Sequence, residues 1–337
     1  IINYLLSTFQ LEKVCNFKDQ INKDLNQKNN FIDKIDIFCL ILEDKSSEAE
    51  LLNSIMIETQ INDDQIFQSL FVFLLNPESG QKESQQFFNQ NINSELIFLY
   101  SAMIRIAELP LSQEFLKVDP LNMAIPLILN RSSPIELRIK AANKSFINKN
   151  ISIESLSALY QSVDFNSSQL NNPNKTISEL SGQIDLLMSY YFQLVNIQIF
   201  PSERLEALIS FWDFAKINNL EEIAYSLSYK IVDSIEITAD HLNYSTQIAT
   251  SYIFNKNYEK AMEWIDFYEN TKGIDEKSTL VKILLSLYTS NNLDSIISII
   301  SENSSKLLNN NAKMNQELVF ILFNILNKTN DMYLNED

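Results

Sequence analysis

The stretch Leu242 to Gly273, LNYSTQIATSYIFNKNYEKAMEWIDFYENTKG, decides the fold. It reads as two amphipathic helices joined at Asn255-Lys256-Asn257. Ile248, Ala249 and Tyr252 mark the buried side of the first helix. Tyr258, Ala261, Ile265 and Tyr268 mark that of the second, at spacings of three, four and three. Two helices alone cannot cover such faces, so the unit is expected to stack on similar units.

Two flanking turns look alike. Asn218-Asn219-Leu220-Glu221 precedes the central Lys256-Asn257-Tyr258-Glu259, and Asn291-Asn292-Leu293-Asp294 follows it, at intervals of 38 and 35 residues. Each turn is followed three residues on by Ile223, Ala261 or Ile296, then by Leu227, Ile265 or Ile300. Asn150-Ile151 is an upstream echo about two such intervals earlier. Pro201 is the last proline, so continuous helix pairs are allowed from there on.

These intervals resemble the tetratricopeptide repeat, a helix–turn–helix unit of about 34 residues. In the central copy Ile248-Ala249 stands at the family's Leu-Gly, Tyr252 at its Tyr, Ala261 at its Ala and Ile265 at its Phe. Gly273 replaces the closing Pro and Ser245 the opening Trp. The flanking copies carry Phe211 and Leu284 where the family keeps a small residue. The resemblance covers about residues 201–308 and implies an α-solenoid with a concave groove lined by the first helix of each pair. Carried over residue by residue, the exposed groove positions would be Leu208, Trp212 and Lys216, then Thr246, Gln247 and Thr250, then Lys282 and Leu285. Trp212 would be the anchor, since exposed aromatics contribute disproportionately to binding.

Upstream, helical periodicity predicts helices within 2–23, 33–42, 47–59 and 64–75, then 94–109, 134–148, 152–163 and 177–199. Polar loops are expected near 24–30 and 77–90. The Asn/Ser/Pro-rich stretch 164–175 reads as the linker between an irregular all-α region, 1–165, and a repeat region, 176–337. No alternating run bounded by tight turns predicts a strand. The fold class is all-α, with hairpins stacked as an α-solenoid toward the C-terminus.

Composition narrows the function. A net charge of −17 with scattered acids disfavours nucleic acid or an anionic membrane as partner. The longest apolar run, 70–75, is far short of the roughly 18 residues that would cross a bilayer. Ile1 to Phe9 lacks a basic n-region and a cleavage site, so no signal peptide is expected. With three glycines in 337 residues there is no phosphate-cradling loop, and left-handed turns are expected to fall on Asn. Cys15 and Cys39, each among apolar neighbours, read as buried free thiols, which suits a reducing, cytoplasmic setting.

Chemistry is hard to find. His241 is the only histidine, and beside Asp240 it reads as a helix-start residue rather than a ligand or base. Acidic pairs such as Glu221-Glu222 and Asp275-Glu276 fall at helix starts, where they favour the helix dipole. No cofactor or metal is called for. The expected function is a non-catalytic scaffold that takes a protein or peptide partner. The alternatives are an all-helical enzyme with an unrecognised carboxylate site or a structural subunit of an assembly.

Overall fold

The computed structural model describes residues 1–24, 30–58, 64–77, 92–111, 113–118 and 122–289, with 298 and 301. It divides into two units, Ile1–Leu159 and Tyr160–Asp337. The turn at 291–294 and the expected loop at 78–90 lie outside the described residues. Every regular element among the described residues is helical, and neighbouring helices pack in pairs.

The first unit holds α1 (Ile2–Ser7), α2 (Leu11–Asp24), α3 (Asn30–Leu42), α4 (Ser46–Glu58), α5 (Gln65–Leu75), α6 (Ile97–Ile106), α7 (Gln113–Val118), α8 (Ala124–Leu129) and α9 (Ile135–Ile147). The boundary falls within α10 (Ile153–Gln161). Ile35, Phe38, Phe67, Leu99, Tyr100 and Met103 build its core. Inside that core sits a charge: the Lys34 side chain, 1% exposed, reaches Asp64 Oδ2 at 2.6 Å. Tyr100 donates to the same oxygen, and Asp64 Oδ1 caps α5 by accepting the Phe67 N–H at 3.0 Å. A buried ammonium is tolerable only when paired and hydrogen-bonded, and this network meets both conditions. Burial and then the Asp64 carboxylate hold the Tyr100 hydroxyl far above the ordinary tyrosine range, so it remains a donor.

Cys15 and Cys39 are not free thiols. They form a disulfide joining α2 to α3, with Cα atoms 5.7 Å apart. Each lies on the side of its helix that faces the other, a proximity that single-helix patterns cannot reveal. The reducing setting read from the thiols therefore loses its basis.

The second unit continues with α11 (Ser167–Asn171), α12 (Pro173–Glu179), α13 (Ile184–Ile197), α14 (Pro201–Ile217), α15 (Glu221–Leu227), α16 (Tyr229–Val232), a 3₁₀ turn (Ala239–Tyr244), α17 (Ser245–Phe254), α18 (Tyr258–Lys272) and α19 (Glu276–Thr289). The stretch 164–175 is thus largely helical. Asn166 and Gln169 form a capping box that starts α11, and buried Thr176 donates to Gln169 O at 2.9 Å. The single helix expected over 177–199 is two, parted around Gly182 at φ +87°. Helix α17 packs on α15, α18 and α19, so eight of its ten residues are buried.

Among the described residues, six helices end in one and the same turn. Phe9, Asp44, Glu108, Lys149, Asn219 and Lys256 all have φ between 55° and 60°. In each, the left-handed residue's N–H bonds the carbonyl three positions back, and the next N–H bonds the carbonyl five back. This is the Schellman closure, whose paired hydrogen bonds offset the roughly 1–2 kcal/mol of left-handed strain in a residue with a Cβ. Only one of the six is Asn, contrary to the expectation from composition.

Candidate functional site

A cleft of about 50 Å³ opens where the end of α14 meets α15, α17 and α19. Lys216, Thr246, Gln247 and Thr250 line it, four of the eight positions carried over from the repeat pattern. Glu221, Tyr225 and Lys277 add polar groups, and Leu280, Val281 and Leu284 form an apolar wall.

Helical geometry explains the grouping. Thr246 and Thr250 are one turn apart on α17, and Lys277, Leu280, Val281 and Leu284 follow one face of α19. Lys216 ends α14, and Glu221 opens α15 just beyond the Asn219 turn. Thr250 Oγ1 is spent locally, donating to Thr246 O at 2.8 Å. Glu221 is 8% exposed. Burial pushes its carboxyl above the ordinary glutamate range, while its own backbone N–H and the Lys216 ammonium pull the other way. Lys277 stands exposed at the rim.

The other carried-over residues do not face a groove. Leu208, Trp212 and Leu285 are buried. Trp212 is 1% exposed, and its Nε1–H donates to Ser228 Oγ at 3.0 Å. Its ring lies 5.4 Å from that of Tyr225. The expected anchor is therefore a core residue, because α14 is covered by α13 on one side and α15 on the other. Lys282 is held in an ion pair with Glu269 at 2.5 Å. Thr246 and Thr250, though they line the cleft, are each only 7% exposed.

Glu221, Tyr225 and Lys277 escaped the sequence reading for separate reasons. Glu221 looked like a dipole-stabilising acid, Tyr225 sits on a second helix that the pattern assigns to the convex side, and Lys277 belongs to the next unit. A second hollow, of about 460 Å³, lies among α12, α13 and α14, lined in part by Ile177, Tyr191, Leu194, Glu203 and Glu206.

His241 Nδ1 lies 2.7 Å from Glu236 O and 3.1 Å from Thr238 Oγ1, so the ring braces the 3₁₀ turn. Among the described residues no three His, Cys, Asp or Glu side chains gather as a metal site would require. No helix among them is long and apolar enough to cross a membrane. Compared with protein-family models, with curated proteins and with solved structures, the chain matches none.

Proposed function

We propose that the second unit is a helical-repeat scaffold whose cleft receives an extended segment of a protein partner. Two features support the repeat reading. The hairpins α14/α15 and α17/α18 close through the same turn at Asn219 and Lys256, 37 positions apart, and α17 packs on both α15 and α19. Stacked hairpins of this kind bind along a face rather than in a pit.

The observation that carries the function is the cleft's size against its lining. Small-molecule sites usually enclose roughly 300–1,000 Å³. At about 50 Å³ this cleft admits one side chain. Its apolar wall takes an aliphatic group. Two lysines against one carboxyl of raised proton affinity favour a neighbouring acid on the partner. The occupant is accordingly a segment pairing an aliphatic residue with Asp or Glu.

A random peptide library displayed against the full chain tests this. The expected result is enrichment of aliphatic–acidic motifs that bind Lys277→Glu at least ten times more weakly and fail on Gln247→Trp, which plugs the cleft. Absence of a motif, or equal binding to both variants, would refute it. Trp212→Ala is the wrong probe, since it reports on folding.

One observation favours an enzyme instead: a buried carboxyl of raised proton affinity beside a lysine has the character of a general acid. The volume argues against a substrate fitting there.

A further inference from the structure

The chain has four arginines among its 26 basic residues, and three of them lie close enough in the first unit to act on one another's charge. Arg105 lies in the last turn of α6, Arg131 in the turn after α8, and Arg138 near the start of α9. Helix α8 packs on both α6 and α9, which gathers them. Arg138 Nε–H donates to Ile128 O at 3.0 Å, fixing that side chain across the turn. The Arg105 guanidinium lies 3.7 Å over the Phe9 ring.

No carboxylate among the described residues pairs with any of the three. In a protein with 43 acids that is unexpected, because acids are available almost everywhere else. Moreover, Arg105 Nη1 is buried without a hydrogen-bond partner. An unpartnered buried donor is costly, and more so when it is charged. Burial first, and then the neighbouring arginines, lower the proton affinity of Arg105 and Arg138. Among the described residues the cluster is thus a local concentration of positive charge with no carboxylate to offset it.

We propose that Arg105, Arg131 and Arg138 form a binding site for a phosphate group, free or carried on a lipid headgroup. A carboxylate brings one negative charge, whereas a phosphate monoester brings about −1.5 to −2 and three acceptor oxygens. Guanidinium forks match that geometry in pairs, as a lysine cannot. The overall charge of −17 does not prevent it. Screening over about 8 Å at physiological salt leaves the three contacting guanidiniums to dominate.

The test uses the full chain and pyrophosphate as probe, with sodium chloride at matched ionic strength as control. The expected result is a Tm rise of roughly 2–4 °C at saturation over the chloride control. Calorimetric affinity should fall about tenfold or more in Arg131→Gln, an exposed position, and further in Arg138→Gln. In parallel, the protein is sedimented with phosphatidate-containing and with neutral vesicles. A pyrophosphate response without co-sedimentation supports a free ligand, and phosphatidate-dependent co-sedimentation supports a headgroup. Neither response in the wild type, or an undiminished response in Arg131→Gln, overturns the site.

Discussion

Two hairpins of the second unit, α14/α15 and α17/α18, close through the same kind of turn but differ in what their first helices bury. In α17/α18 the first helix carries Ala249 at its tight contact and the second carries Ala261; both are fully buried, and α18 runs unbroken for 15 residues. In α14/α15 the corresponding side chain is Phe211, followed by Trp212. Phe211 turns toward α13, its ring 6.4 Å from Phe192, and Trp212 takes the side facing α15. The helix opposite is interrupted at Ser228 after seven residues and resumes for four. Ser228 Oγ accepts the indole N–H and donates back to Ala224 O at 2.5 Å, a contact that bends helices. Small residues permit straight paired helices; a large aromatic is accommodated by breaking its neighbour.

Removing the aromatic cannot restore the straight geometry, because Ser228 and the packing have adapted to it. Trp212→Ala should destabilise the protein by about 3–5 kcal/mol through the cavity it leaves. Urea denaturation followed by circular dichroism reads this; a loss below about 1 kcal/mol would mean that the hairpin collapses freely onto the gap.

The converse change forces the first hairpin's problem on the second. Ala249→Leu inserts three carbons into a site with no exposure and should cost about 1–3 kcal/mol by overpacking. Hydrogen exchange should then show lost protection within α18, near where α15 is interrupted in the other hairpin. Uniform loss across the unit would break the analogy.

The turns sharpen the comparison further, because they share a backbone and differ in residue. Lys256 strains against its Cβ at φ 60°, whereas Asn219 at φ 56° tolerates the left-handed region. Lys256→Gly should therefore stabilise by about 0.5–1 kcal/mol, after allowing for the entropy glycine adds to the unfolded chain. Asn219→Gly should change stability very little. Equal gains at both positions would show that side-chain type is irrelevant there.

How much of this was legible beforehand depended on whether the pattern was local. The α17/α18 hairpin was readable because its apolar residues keep to one stripe and its turn is polar. Helix α14 defeats such a reading because Leu205, Leu208, Phe211, Trp212 and Phe214 wrap too far around it to identify a single buried side. The helices within 164–179 hid behind Asn and Ser, although Asn166 and Gln169 have the spacing of a capping box. Four of the ten residues lining the cleft, on α14 and α17, are ones the repeat pattern names. The other six come from α15 and α19, which the chain brings together only in three dimensions. The Cys15–Cys39 bond and the arginine cluster are likewise products of tertiary proximity, which no periodicity encodes.

The smallest difference between the hairpins is one of pH. Burial raises the proton affinity of Glu221, at the base of the first hairpin, above the ordinary glutamate value of 4.5. Folding therefore favours its protonated form, and the folded state loses stability as pH rises from 4.5 through the raised value. Asp233 behaves in the opposite sense. Lys260, reaching it from the second hairpin at 2.5 Å, lowers it below the ordinary 3.8, with Tyr252 donating to the same oxygen. Its contribution is present above 3.8 and disappears as pH falls through the lowered value. Both partners of that pair are well exposed, so salt should weaken it. Melting curves from pH 3 to 8 separate the two groups. Glu221→Gln should match wild type near pH 3 and melt progressively higher than wild type as pH rises. Asp233→Asn should melt lower than wild type at neutral pH, with the gap closing in acid and narrowing in high salt. A Glu221→Gln advantage that is constant with pH would mean that Lys216 already offsets the carboxyl's charge in the folded cleft, and that the cleft is less positive than a partner's acid requires.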